Sequence, residues 1–395
     1  MAPRSAPDTR AGAERTWAVV AGGGTAGHLL PGLAIAAELG RRGVPASAVH
    51  FVGSERGIES RLVPAAGHPL TTLPGRGLQR RLTGRNLVAV GGLAVAQVRA
   101  LRLLRRLRPA VVVGLGGYAS VAVGVAALVT RTPLVLTEQN AVPGAANRLL
   151  ARGARASAVP FDEATLPRAV WTGTPVRDEI RSVDRARDRE AARERLGVPP
   201  GRRLVVVFGG SLGARRLNEA VLDAVSRWRE RSDLAIRHIT GRRDHDAVTA
   251  RLTDIDPGGV EHRVVAYEDD MASCYAAADL VVARAGASTV AELAVVGCPA
   301  ILVPLPGAPG DHQSANAQAL AAVGAALVLL DADCSGDRLA ALVDELLAEP
   351  ERLEAMARAA APVARPDAAA AIADLVERHA TRPAPRLPHT TGDRS

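Results

Sequence analysis

Apolar runs that end in glycine turns alternate with Ala- and Leu-rich amphipathic segments along the chain, and this alternation limits the fold more than any other feature. The runs are WAVVAG, AVHFVG, AVVVGLG and PLVLTEQN, then LVVVFGG, LAIRHITG, HRVVAY, DLVVARAG and PAILVPLP. Buried parallel strands with helices on both faces produce such a pattern, so the fold class is α/β. "TWAVVAGGGTAGH" near the start recurs in kind as "RLVVVFGGSLGAR" at Arg203 to Arg215. Each is a strand, a glycine turn and a helix start. With 395 residues, 48% of them hydrophobic, the chain has room for two such units. The charged stretch from Thr174 to Arg203, containing "GVPPGRR", carries the crossing between two Rossmann-like parallel-sheet domains. Facing each other across a cleft, these would hold ligands at the carboxyl ends of their strands. The expected domains are 16–175 and 176–365. The polar, Pro-rich ends, 1–15 and 381–395, read as disordered arms without a secretory signal.

Charge narrows the partners. The net charge is +8 and every basic residue is arginine, yet no acidic residue occurs between Glu59 and Glu138. That span holds Arg76, Arg80, Arg81, Arg85, Arg99, Arg102, Arg105, Arg106, Arg108 and Arg131. Nucleic acid is disfavoured as the partner, because aromatics are 2% of the chain and no base-stacking or zinc-finger motif is present. From Leu73 to Leu107 the arginines interleave with Leu78, Leu82, Leu87, Val88, Leu93, Leu101, Leu103 and Leu104. That mix suits an anionic membrane surface, although a solvated helix face gives the same pattern. The charge-free run from Ala110 to Thr130 is long enough to span a bilayer, but "VVVGLGGYAS" breaks it as strand, turn and helix. Cys274, Cys298 and Cys334 lie far apart, fit neither a disulfide framework nor a metal site, and are expected to be packing residues in a reducing, cytoplasmic compartment.

The glycine loops carry the chemistry. Gly22, Gly24 and Gly27 spell GxGxxG, but a dinucleotide site also needs an acid roughly 20 positions on, at the end of the second strand. That strand is expected to end at Gly53, with Glu55 two residues later, which weakens a nicotinamide oxidoreductase reading. The loop still offers amides at a helix N-terminus to an oxygen-rich ligand. His28 follows directly, as a general base for a hydroxyl nucleophile or as a packing histidine. Gly209 to Gly213 adds amides and the Ser211 hydroxyl, and Arg177 adds a cationic fork, a set that could stabilise a diphosphate leaving group without metal. In "ARAGASTVAE", Glu292 lies about one turn beyond Ser288 and Thr289, placed either to bind both hydroxyls of a ribose or to close a capping box with Thr289. Asp311, His312, Gln313 and Asn316 crowd a further helix start with groups that read sugar hydroxyls.

Taken together, GGGTAGH, GLGGYAS, TEQNAVPGAANR, GTPVR, FGGSLGARRLN, YEDDM, ARAGASTVAE and the DHQSANA stretch resemble the MurG-type transferases of glycosyltransferase family 28. The resemblance implies the two-domain GT-B architecture, with a final helix at 366–380 crossing back onto the first domain. It implies an inverting transfer of N-acetylglucosamine from UDP-N-acetylglucosamine to the MurNAc of an undecaprenyl-pyrophosphoryl-linked acceptor, without cofactor or metal. Thr25, Ala26, Gly27 and His28 would face the acceptor, with Tyr118, Glu138 and Asn140; His28 is the first choice of base and Glu138 the second. Arg177 and Ser211 would meet the diphosphate, Ala287, Ser288, Thr289 and Glu292 the uridine, Gln313 the N-acetylglucosamine, and Glu268 the uracil through its backbone. The resemblance also places the enzyme on the cytoplasmic face of the membrane, with other cell-wall synthesis proteins as partners. Ala26, Thr137 and Thr174 depart from the family's usual glycine, histidine and asparagine. Rival readings are another GT-B nucleotide-sugar enzyme, either a different glycosyltransferase or a UDP-N-acetylglucosamine 2-epimerase, a nicotinamide oxidoreductase, and a non-catalytic peripheral or nucleic-acid-binding protein.

Overall fold

The structure is a computed structural model that describes residues 15–23, 26–55, 58–74, 85–210, 213–252 and 258–387, with side chains 26, 85–91 and 93 left aside. The strands are β1 (Ala18–Ala21), β2 (Val49–Ser54), β3 (Leu70–Leu73), β4 (Val111–Gly114), β5 (Leu134–Thr137), β6 (Ala156–Val159), β7 (Ala169–Trp171), β8 (Arg203–Phe208), β9 (Leu234–Ile239), β10 (Glu261–Val265), β11 (Leu280–Ala283), β12 (Ala300–Leu302) and β13 (Ala326–Val328). One sheet runs β3-β2-β1-β4-β5-β6-β7 and the other β10-β9-β8-β11-β12-β13. In the second, every neighbouring pair is parallel, as are the pairs from β3 to β5 in the first. The central strands β1, β4, β5 and β11 are buried at every residue, which is why they read as continuous apolar runs rather than as alternation. The α/β expectation holds.

The chain divides into two compact units. One comprises Met1–Thr137, Ala145–Ser157 and Ala370–Ser395; the other comprises Glu138–Gly144 and Ala158–Ala369. In each sheet the order reverses beside the first strand of its series, at β1/β4 and at β8/β11, and such switch points open a crevice at the strands' carboxyl ends.

The run from Ala110 to Thr130 resolves into β4, a glycine turn and the helix Gly117–Thr130, and no helix among the described residues is long and apolar enough to cross a membrane. In the helix Arg85–Leu107, Ala96, Ala100, Leu103 and Leu104 are buried, and that helix packs on Gly117–Thr130. Their spacing of four, seven and eight is the helix's core stripe. Leu73 is also fully buried. The leucines expected to enter a lipid surface are therefore core residues where they are described, Leu101 being half-buried, while Leu78 and Leu82 and the side chains of Leu87, Val88 and Leu93 lie outside the description. Among the described residues of this helix, the large apolar side chains that reach solvent are Val95 and Val98, followed on the same face by exposed Arg99, Arg102, Arg105 and Arg106.

Residues 381–387 correct a second expectation. Instead of forming part of a loose arm, they lie along the first unit: Trp17 Nε1 donates to the Arg382 carbonyl at 3.0 Å, and Leu387 N donates to the Gly43 carbonyl at 2.9 Å. The helix Ala368–His379 leads into them, and Arg42 pairs with its Asp374 (2.6 Å) and Glu377 (2.9 Å). The arms expected at 1–14 and 388–395 lie outside the described residues.

Candidate functional site

In the first unit, the loop after β1 packs against the loop after β4. A Cβ on Gly22 would lie 2.5 Å from Leu115 Cβ, and one on Gly117, at φ +78°, would lie a tight 3.1 Å from the Gly23 carbonyl. Two backbones meet there. A Cβ on Gly23 would overlap the carboxylate of Glu59, which is buried beneath the loop and accepts from Ser54 N at 3.4 Å. β2 extends one residue past the expected Gly53, so the exposed Glu55 follows the strand directly, while Glu59 is committed to packing beneath the loop.

His28 sits in the first turn of the helix Ala26–Arg41 and is half-buried, with its Nε2 3.3 Å and Cδ2 3.2 Å from the position of a Cβ on Gly116. Gly116, at φ +87°, leaves space for the imidazole face. Asn147, buried and donating to the Thr137 carbonyl at 3.0 Å, stands on the same side of Gly116. Tyr118 donates to the Pro74 carbonyl at 3.1 Å, and partial burial raises its pKa. Thr25 and the Ala26 side chain lie outside the description, while Gly27 is half-buried in the helix's first turn.

The segment Glu138–Gly144 belongs to the second unit. Glu138, 4% exposed, folds its carboxylate into its own loop: Oε1 accepts from the backbone of Gln139 and Asn140, both at 3.0 Å, and from Asn140 Nδ2 at 3.4 Å, while Oε2 accepts from Gly144 N at 2.9 Å. Thr174 donates to the Gln139 carbonyl at 3.3 Å. This is the geometry of a loop organiser. Asn316, expected to read sugar hydroxyls, is fully buried, and its amide is used between Ala141 N, Asn140 Oδ1 and the Ala285 carbonyl.

Within the same unit the helix Ala287–Val296 starts after β11, capped by the Gly286 backbone without a side-chain bond. Thr289 is thus its third residue rather than its cap, and the capping box with Glu292 does not form. Ala287, Ser288 and Thr289 are half-buried at this N-terminus, where free amides and the helix dipole favour oxygen acceptors. Glu292 Oε1 lies 3.6 Å from the Arg177 guanidinium, which also meets Glu179 at 3.2 Å. Burial raises the Glu292 pKa, while Arg177 and the Tyr275 hydroxyl oppose that rise. Arg177 Nε is buried without a hydrogen-bond partner among the described residues. Sequence pairing placed Arg177 with Ser211; Ser211 lies outside the description, and the structure sets Arg177 beside Glu292.

Gln313 Oε1 accepts from Leu305 N at 3.0 Å. Asp311, in a left-handed conformation, accepts from Ser314 Oγ at 2.8 Å. The Glu268 side chain accepts from Arg237 at 2.7 Å and from Asp270 N at 3.1 Å. In the turn after β8, a Cβ on Gly213 would run into the Thr240 carbonyl, so glycine there is a packing requirement. The three cysteines are buried and unpaired with one another, and no group of three or more His, Cys, Asp or Glu among the described residues is arranged to hold a metal. Sequence reasoning missed Glu59, Asn147 and Tyr275. The only signal for Tyr275 was its rarity, as one of three tyrosines, inside an Ala-rich helix.

The chain is similar to known proteins over most of its length. Residues 18–159 match the Glycosyltransferase family 28 N-terminal domain and residues 204–375 match the Glycosyltransferase family 28 C-terminal domain. A protein of Desulforudis audaxviator named UDP-N-acetylglucosamine--N-acetylmuramyl-(pentapeptide) pyrophosphoryl-undecaprenol N-acetylglucosamine transferase is 41% identical over 91% of this chain and 97% of its own. One of the same name from Alkalilimnicola ehrlichii is 44% identical over 90% and 97%. The crystal structure of Acinetobacter baumannii MurG is 30% identical and superposes with a TM-score of 0.73, covering 92% of this chain and 99% of that one. A UDP-GlcNAc 2-epimerase of Neisseria meningitidis, 12% identical with a TM-score of 0.60 over 92% of this chain and 100% of that one, shares the fold.

Proposed function

The chain belongs to glycosyltransferase family 28, and on that premise we propose that it transfers N-acetylglucosamine from UDP-N-acetylglucosamine to the 4-hydroxyl of MurNAc in undecaprenyl-pyrophosphoryl-MurNAc-pentapeptide, with inversion, as a step of peptidoglycan synthesis. What carries the reading is identity of 41% to 44% along about nine-tenths of the chain to transferases whose names specify this donor and this acceptor.

The acceptor oxygen attacks the anomeric carbon opposite the departing UDP. The O4–C1 bond forms, the bond from C1 to the diphosphate oxygen breaks, and the proton leaves O4 for a base. His28 is the base in this reading. Its imidazole is half-buried in the first turn of the helix that follows the glycine loop and packs beside Gly116, while both carboxylate oxygens of Glu138 accept bonds from the loop they hold. Charge growing on the diphosphate is met by the amides of the 209–213 loop, by Ser211 and by Arg177. Ala287, Ser288 and Thr289 receive the uridine, Glu292 the ribose diol, the Glu268 backbone the uracil and Gln313 the transferred sugar. Thr25, Ala26, Gly27, Tyr118 and Asn140 line the acceptor side, with Glu138 shaping the loop that carries Asn140.

The exposed face Val95–Val98–Arg99–Arg102–Arg105–Arg106 supports peripheral attachment to an anionic lipid surface, where the acceptor's polyprenyl chain resides. The deciding assay supplies UDP-N-acetylglucosamine and a short-chain muramyl lipid without divalent metal and looks for the disaccharide. A folded, UDP-binding sample that makes none, or that epimerises the donor without acceptor, rejects the reading.

A further inference from the structure

Glu292 poses a physical difficulty for a ribose site. A carboxylate that accepts from two vicinal hydroxyls must be ionised and held against rotation, yet this one is nearly sealed from water and burial favours its neutral form. The answer lies one helix away. Tyr275, in the helix Met271–Ala277, is fully buried, and its hydroxyl donates to Glu292 Oε2 at 2.8 Å. The tyrosine ring is held edge-on by Phe208, the last residue of β8, at 6.2 Å between centroids. That bond occupies one oxygen and turns the other, Oε1, toward Arg177 at 3.6 Å.

We propose that Tyr275 is a positioning residue for nucleotide recognition: its hydroxyl fixes the rotation of Glu292 and keeps it a pure acceptor for the two hydroxyls of the donor's ribose. This rests on the reading of Glu292 as the ribose ligand. The groups acting on this carboxylate are Arg177 and Glu179 from the segment around the helix Asp178–Arg181, and Tyr275 from its own helix; Cys298, just after the Glu292 helix, acts on Tyr275. Arg177 and Tyr275 favour the ionised form, whereas Glu179 and burial oppose it. Removing the phenol hydroxyl therefore pushes the Glu292 pKa further up, and the site loses an acceptor at a higher pH than before.

The experiment measures affinity for UDP and for 2′-deoxy-UDP between pH 5.5 and 8.5; their ratio cancels the titration of the diphosphate itself. The wild-type protein is expected to prefer UDP by about tenfold, the preference fading as pH falls and Glu292 takes up a proton. In Tyr275→Phe, the preference shrinks and its midpoint moves to higher pH. With Glu292→Gln already present, Tyr275→Phe changes the ratio no further, because its effect runs through the carboxylate. Replacing all three tyrosines by 3-fluorotyrosine keeps the fold's side chains, makes the hydroxyl a stronger donor and moves the midpoint down. An unchanged ratio in Tyr275→Phe overturns the proposal, as does an equal loss for both nucleotides at every pH accompanied only by a lower melting temperature. A wild-type protein that does not distinguish the two nucleotides rejects instead the underlying reading of Glu292.

Discussion

Asn316 Nδ2 lies 3.2 Å from Asn140 Oδ1, and the same side-chain amide accepts from Ala141 N at 2.8 Å and donates to the Ala285 carbonyl at 3.1 Å. One buried amide thus holds the 138–144 loop beside the turn that leads into the helix Ala287–Val296. Asn316→Ala leaves a buried N–H and a buried carbonyl without this partner and is expected to cost about 2–3 kcal/mol. Urea denaturation measures that loss, and kcat/KM falls with it even though Asn316 touches no substrate. Unaltered stability would show that the amide is dispensable.

His28→Ala is expected to lower turnover by about 100-fold or more at saturating substrates, while UDP binding by calorimetry stays as in the wild type. Gly116→Ala is expected to move activity in the same direction by a different route. Its Cβ would press on the imidazole in a backbone conformation that disfavours side chains. Near-normal kcat in His28→Ala assigns the base elsewhere.

Glu138→Gln keeps the shape of the side chain but replaces one acceptor oxygen with a donor, facing N–H groups that now repel it. The expected loss is about 2 kcal/mol of stability, read from the denaturation midpoint, with a raised KM for the acceptor. A normal fold with abolished kcat would instead mark Glu138 as the base.

A stacked pair of histidines is expected to make the second unit sensitive to acid. His238 and His262 have ring centroids 5.5 Å apart; burial is the first cause that pushes their pKa values down, to about 3 and about 4. Unfolded, both titrate near 6.5. Between those values the unfolded chain binds more protons, so stability is complete above about pH 6.5 and is lost as pH falls toward 4. His262→Phe keeps the stacking and is expected to flatten the slope of unfolding free energy against pH. An equally steep slope in that variant would place the acid sensitivity elsewhere.

Reversing two charges, Arg99→Glu with Arg102→Glu, is expected to weaken attachment to anionic vesicles by about tenfold or more, at about 1 kcal/mol per basic residue. Sedimentation with the vesicles reads this, and the wild-type attachment declines with added salt. Activity on a water-soluble short-chain acceptor should not change. Equal binding by the variant would direct attention to another face.

The sequence made the sheet cores legible because strands buried on both faces are uninterrupted apolar runs, and it located the glycine turns that follow β1, β4 and β8. It did not reveal β3, β7 and β13, sheet-edge strands that are partly exposed, or β6, whose ASAV is broken by a serine, because none of them is an uninterrupted apolar run. The candidate site was visible as residue types in order along the chain. What was hidden depends on contacts between distant segments: Glu59 beneath Gly23, Tyr275 on Glu292 and Asn316 on Asn140. The misjudged leucines teach the same point, since Leu103 and Leu104 sit among arginines in sequence but on the opposite side of the helix in space.

Because the stretch 381–387 is bonded to Trp17 and Gly43, the unit translated first is also the one completed last. During synthesis its opening strands must wait, one seam still open, until the ribosome has delivered the whole of the other unit. A nonsense codon near position 380 would accordingly wound the unit translated first and spare the one translated just before the codon.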